Sequence, residues 1–189
     1  MVAQETLALL DAYLLGMQGT AQLELELSPV NPSAVIADVA YGLKDVAKKF
    51  ACELHIDMHH TANYALTNRH AIQVAMTAVG KVFIEAQDTI TTKHKSVTLS
   101  TYKTKTGIAV GVFSEGMSEL ISSELLARAR SYVGTAARPF AGLASGAATH
   151  LFIAEQLATA LDTTMRAARR GHLSGLAFDL SETSQLSLV

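Results

Sequence analysis

An α+β fold is predicted: a two-layer sandwich with one mixed β-sheet, covered on one face by about three helices and preceded by an N-terminal helix. Three observations predict it. Several short stretches alternate apolar and polar residues with the period of a half-buried strand, as in Leu23–Leu27 and residues 52–58. Longer stretches between them repeat apolar residues at three- and four-residue steps, the period of a helix with one buried face. The two kinds follow one another as helix, strand-helix-strand-helix-strand-strand, helix-loop-helix, strand-strand, which fits one sheet with one covered face.

Composition agrees with a packed domain. Of 189 residues, 49% are apolar, a fraction sufficient for a core at this length. Fifteen basic and 17 acidic residues leave a formal charge of −2, so no strong field draws the chain to nucleic acid or to a membrane surface. The single Cys52 excludes an internal disulfide and suits a reducing, cytoplasmic compartment. No run reaches the roughly 18 to 20 apolar residues of a membrane span, and the opening residues carry Glu5 and Asp11 where a secretory leader needs basic ones.

Residues 1–20 read as a separate N-terminal helix and 21–189 as the domain. The helix spans 4–18, with Leu7, Leu10, Leu14 and Met17 as its seam and Gly16 and Gly19 at its end. So short a helix is not stable alone in water, so it must pack on the domain or on a second copy. Residues 23–27 follow as a strand with its three leucines inward. Asn31-Pro32 opens the next helix as cap and first-turn proline, and Val35, Ile36, Val39, Leu43, Val46, Ala47 and Phe50 form its inner face. A strand at 52–58 points Cys52, Leu54, Ile56 and Met58 one way.

The helix at 68–83 organises the rest. Asn68 is its cap, Ile72, Ala75, Met76, Val79 and Phe83 its apolar stripe, and Thr77 and Lys81 lie four apart on its other face. Strands at 96–104 and 106–113 are joined by a turn at Thr104–Gly107. In the second, Ile108, Val110 and Val112 alternate with Ala109, Gly111 and Phe113, and the small residues imply close contact on the second face. A helix at 118–133 is expected to bury Leu120 and Ile121, and 134–146, rich in Gly and Ala, reads as a loop or lid. A last helix at 147–161 carries Leu151, Ile153, Ala154, Leu157 and Leu161, and strands at 163–169 and 173–180 close the domain.

The stretches Gln73–Lys81, Val110–Ser118 and Ser145–Leu151, in that order, resemble the N-box and the two glycine boxes of the sensor histidine kinase ATPase domain, the Bergerat fold. The likeness covers nearly the whole chain, with residues 1–20 at the place of a dimerisation helix. It implies a nucleotide site at Thr77, Lys81, Ser114, Gly116, Gly146 and His150. The residues there differ from the family's. Thr77 and Lys81 stand where asparagines hold Mg²⁺; a hydroxyl is a weak ligand for that ion and an ammonium repels it. Ser114 replaces the aspartate that accepts from the adenine amino group. Gly116 remains, but Ser118 replaces the next glycine. Ala148 and His150 bring side chains to a box that works by bare backbone. No histidine sits in the phosphoacceptor context of the kinase.

The resemblance therefore implies a degenerate domain, a pseudokinase with no ATP or Mg²⁺ as cofactor and no catalytic residue. It would serve two-component signalling as a homodimer through the N-terminal helix, with a response-regulator receiver domain as partner. The alternative is an active ATP-binding module in which Lys81 takes the metal's role and Ser114 reads adenine; a third is a plain protein-binding domain. His55, His59 and His60 lack acidic or Cys partners at metal-site spacing and read as a solvated strand end. His70 reads as an exposed first-turn residue and His150 as filling the vacated nucleotide pocket. Arg128, Arg130 and Arg138 flank the loop. Arg166, Arg169 and Arg170 read as an exposed basic hairpin end.

Overall fold

The computed structural model describes residues 25–58, 63–90, 94–121 and 146–183. The helix expected at 4–18, His59, His60, the three arginines flanking the loop and all of that loop but Gly146 lie outside them.

Among the described residues, seven strands form one sheet: β1 (Ser28–Val30), β2 (Glu53–Met58), β3 (Tyr64–Thr67), β4 (Ser96–Lys103), β5 (Gly107–Ser114), β6 (Met165–Arg170) and β7 (Leu173–Thr183). Their order is β1-β3-β7-β5-β4-β2, with β6 paired to β7. Only β2 and β4 run parallel; the other pairs are antiparallel. Helices α1 (Pro32–Lys49), α2 (Arg69–Ala86) and α3 (Ala147–Ala160) cover one face. The fold is thus the mixed α+β sandwich that the alternating and helical periods predict.

Both helix starts form as the capping residues dictate. The Asn31 side chain accepts from the Ser33 N–H at 2.9 Å with Pro32 at the first turn, and the Asn68 side chain accepts from the Ala71 N–H at 3.0 Å. α2 is the central helix: it packs on α1, on α3 and on β4 and β5. Ile72, Ala75, Met76, Val79 and Phe83 are fully buried, and truncating any of the larger ones to Ala would cost about 2–5 kcal/mol. At Gly80 an added Cβ would sit 2.3 Å from a Leu43 methyl, so the glycine lets α1 close onto α2.

Several expectations change. Of the strand expected at 23–27, residues 25–27 are described and lie outside any strand, with Leu27 exposed; the first strand among the described residues is Ser28–Val30. Its partner β3 is only four residues long and faces Ser28, Pro29 and Val30, which exhausts the pairing. β3 itself was not expected, because it buries its small residues Ala65 and Thr67 and turns Tyr64 and Leu66 outwards. Of the helix expected at 118–133, residues 122–133 lie outside the described ones; within the described part Met117–Glu119 is a 3-10 turn, and Leu120 and Ile121 pack against the core. Cys52, just before β2, and Leu54 pack inwards as expected, but Ile56 and Met58 are exposed.

The second face of the sheet has a small core of its own. β5 is buried along its whole length. Phe113 lies across Gly111 and Gly175, where an added Cβ would meet its ring at 2.7 Å and 2.5 Å. Tyr102 packs on Phe113 with ring centroids 6.1 Å apart, and the Arg170 guanidinium lies 4.7 Å from the Tyr102 ring centroid. Arg166 grips Asp179 through two bonds of 2.5 and 2.8 Å, and Arg170 reaches Asp57 at 2.5 Å. The expectation of an exposed basic hairpin end therefore holds for Arg169 alone. The register explains why: Arg166, Ala168 and Arg170 share the face of Gly175, Ala177 and Asp179, whereas Arg169 points the other way.

Candidate functional site

The six candidate residues lie on α2, at the end of β5 and at the start of α3. Buried on most sides, α2 leaves one half-covered stripe, Gln73, Thr77, Lys81 and Glu85, at four-residue steps. The Thr77 hydroxyl donates to the Gln73 carbonyl at 2.8 Å, one turn back on its own helix. Lys81 lies one turn further on, half-buried.

Ser114 ends β5 and is 1% exposed. Its hydroxyl donates to the Ser96 carbonyl at 2.7 Å and accepts from the Gln87 side-chain amide at 3.0 Å. Gln87, itself 1% exposed, also donates to the Phe83 carbonyl at 3.3 Å. Ser114 is therefore tied to the end of α2 and the start of β4. Sequence reasoning missed Gln87 because it ended the helix at Phe83. The signal was present: Gln87 stands four residues past Phe83, on the same face.

The two surviving glycines differ. Gly116 has φ +76°, the left-handed region, and starts the 3-10 turn over the buried Met117. A backbone reason alone calls for glycine there. Gly146 has φ −85° and caps α3; an added Cβ would make only ordinary contact with the His150 ring, 3.7 Å away. His150 folds back over that first turn, its Nδ1 2.9 Å from the Gly146 carbonyl. Ala148 is packed into the core.

No family model matches the sequence, and no curated protein matches it. Solved structures do. The Acinetobacter baumannii histidine kinase AdeS superposes with a TM-score of 0.64 at 17% identity, over 97% of this chain and 80% of that one. The catalytic domain of histidine kinase ThkA gives 0.59 at 14%, over 84% and 98%. The chain has the histidine-kinase-type ATPase fold. A mycobacterial sensor histidine kinase, MprB, gives 0.55 at 14%, over 82% and 97%. At these identities the likeness is one of fold. The stretches read as the N-box and the two glycine boxes fall on α2, at the end of β5 and at the start of α3.

As donors, these residues suit Mg-ATP poorly. Thr77 offers one hydroxyl already engaged with the backbone, Lys81 a cation, and Ser114 a neutral hydroxyl held at both its donor and acceptor sides. Elsewhere among the described residues, burial pushes the Cys52 thiol up to about 11, with Lys95 opposing the shift. The bidentate bond to Asp179 raises the Arg166 pKa above its usual range.

Proposed function

We propose that this chain is a degenerate histidine-kinase-like domain, a pseudokinase that does not bind Mg-ATP. It acts in cytoplasmic signal transduction as a dimeric scaffold associated with phosphorelay. It dimerises through residues 1–20 and meets a response-regulator receiver domain. The observation that carries this is the Gln87–Ser114–Ser96 network. The adenine-reading position is built into the interior, and opening it would leave buried polar groups unpaired at about 1–3 kcal/mol each. The chemistry of Thr77 and Lys81 supports the same conclusion, since neither gives a hard cation an anionic oxygen. Among the described residues no helix is long and apolar enough to cross a membrane, which agrees with a location away from the bilayer.

One observation favours a second reading, an ATP-binding module with Lys81 against the phosphates. Gly116 keeps its left-handed turn, and Gly146 at the start of α3 carries no side chain of its own, with the His150 ring as the neighbour an added Cβ would meet.

Titrating ATP and ADP with and without Mg²⁺, followed by thermal unfolding, tests the choice. A bound nucleotide at a hundred times its Kd would add about 2.7 kcal/mol, roughly 5–10 °C for a domain of this size. No shift at millimolar nucleotide is expected. A shift that Lys81→Ala abolishes would establish the second reading. Pull-down of purified receiver domains, compared with an unrelated acidic protein, tests the partner.

A further inference from the structure

Among the described residues the sheet ends in three outer edges, and two are blunted. β1 is three residues long and carries Pro29, and β6 carries Arg166, Arg169 and Arg170. Proline and charge are the usual means of keeping strand edges from pairing. β2 carries charge on one face only, at Glu53 and Asp57; its six residues include no Pro, Gly or Lys, it pairs only with β4 among the described residues, and on the other face it exposes Ile56 (45%) and Met58 (39%).

The direction of its backbone follows from one bond. The Glu53 N–H donates to the Lys95 carbonyl at 2.9 Å, on the β4 side. Alternation then turns the N–H and C=O groups of Glu53, His55 and Asp57 towards β4 and those of Leu54, Ile56 and Met58 outwards.

We propose that two copies of this chain pair antiparallel through the outer edges of β2, with Ile56 opposite Ile56, joining two seven-stranded sheets into one. Facing residues in an antiparallel pair share a sheet face, so the apolar set of one copy must meet the apolar set of the other. The register about Ile56 does this. Leu54 faces Met58 and Met58 faces Leu54, and every outward N–H and C=O of these three residues finds a partner. On the opposite face His55 meets Asp57 twice, at the positions where side chains approach most closely. Asp57 is already fixed by Arg170 at 2.5 Å and is approached by the Ser100 hydroxyl at 3.3 Å, so its carboxylate stands ordered to receive an imidazole. A slip of one residue would set Ile56 against the charged set and lose the match. The symmetry is isologous, as a two-fold pair requires. A strand pair this short lies below the roughly 1,200 Å² of a stable interface, so the association is weak and concentration-dependent.

This surface is separate from residues 1–20 and goes beyond the proposed function, which stands or falls without it. Amide hydrogen exchange of the full chain, at low and at high micromolar concentration, tests it. At high concentration the amides of Leu54, Ile56 and Met58 gain at least about tenfold protection, while those of Glu53, His55 and Asp57 do not change. Ile56→Lys sets like charges face to face and removes the gain. Ile56→Cys forms an intermolecular disulfide under mild oxidation, because facing Cα atoms at a hydrogen-bonded site lie about 5.5 Å apart. Tyr41→Cys, at a position 83% exposed on α1, does not. Exchange of the three outward amides that ignores concentration overturns the proposal, as does protection that survives Ile56→Lys. If the lysine variant fails to fold, wild-type exchange and the cysteine cross-link still decide.

Discussion

Ser114→Ala separates a structural serine from a nucleotide-reading one. The hydroxyl makes two short bonds inside the protein, to the Ser96 carbonyl at 2.7 Å and from the Gln87 amide at 3.0 Å. Removing it deletes both and leaves a buried carbonyl without that donor, while Gln87 retains the Phe83 carbonyl at 3.3 Å. At about 1 kcal/mol per neutral bond, with a further penalty for the stranded acceptor, the loss is about 2–3 kcal/mol. For a domain of this size that is roughly 4–12 °C in Tm. Gln87→Ala alone should lose about 1–2 kcal/mol, and the double variant less than the sum, with a coupling near 1 kcal/mol. Urea unfolding of the four proteins measures the cycle. A Ser114→Ala protein as stable as wild type, with additive singles, would refute the reasoning; the hydroxyl would then be available to a ligand.

Other perturbations should follow the geometry as directly. Gly175→Ala would put a Cβ 2.1 Å from the Val112 carbonyl and 2.5 Å from the Phe113 ring, and should cost about 3 kcal/mol or more, read as a lost or strongly lowered melting transition. Phe113→Leu should not rescue it, because the carbonyl clash remains. Gly116→Ala, at φ +76°, should cost about 1–2 kcal/mol, whereas Gly146→Ala should move Tm by less than about 2 °C. The Cys52 thiol sits at about 11 against an ordinary 9.0 because burial disfavours the thiolate. Its contribution is therefore complete below pH 9 and lost as pH rises towards 11. Stability should fall by about 2 kcal/mol more across that window in wild type than in Cys52→Ala, measured by denaturant unfolding at each pH.

The fold was legible wherever one face of an element is buried and the other wet. α1 shows this best: every residue expected on its inner face is buried or packed against the core, and Lys44, Lys48 and Lys49 are exposed. It was also legible where small residues alternate, since Ala109 and Gly111 announced the second-face contact that Phe113 makes. It failed where tertiary pairing overrides pattern. The alternation of 23–27 is as good a strand signal as any in the chain, yet its described residues 25–27 are not in a strand, and pairing among the described residues starts at Ser28, where β3 offers partners. β3 was hidden because its larger side chains face outwards. The arginines of β6 were misjudged because their carboxylates, Asp57 and Asp179, come from other strands, Asp57 from one distant in sequence. The candidate site was legible as positions only. That Ser114 would be tied to Gln87 depends on how far α2 runs, and helix ends are the least certain part of any such pattern.

The same network bears on affinity as well as stability. Ser114 is 1% exposed, so an adenine arriving at the end of β5 would have to part the Gln87–Ser114–Ser96 network to reach the one acceptor lone pair its hydroxyl has left. Leaving one of those buried groups unpaired costs about 1–3 kcal/mol, which divides affinity by roughly 5 to 150 at 1.4 kcal/mol per factor of ten. The hydrogen bond formed in exchange, from the adenine amino group to a neutral hydroxyl, is worth about 1 kcal/mol, and about half of what an ionised aspartate would give. The exchange is unfavourable before the metal is considered, and Lys81 in place of an amide ligand supplies nothing to a divalent cation. A site whose polar groups are satisfied by one another stabilises the empty protein. Selection for a rigid scaffold would keep that arrangement; selection for turnover would not, because binding sites commonly give up stability for function.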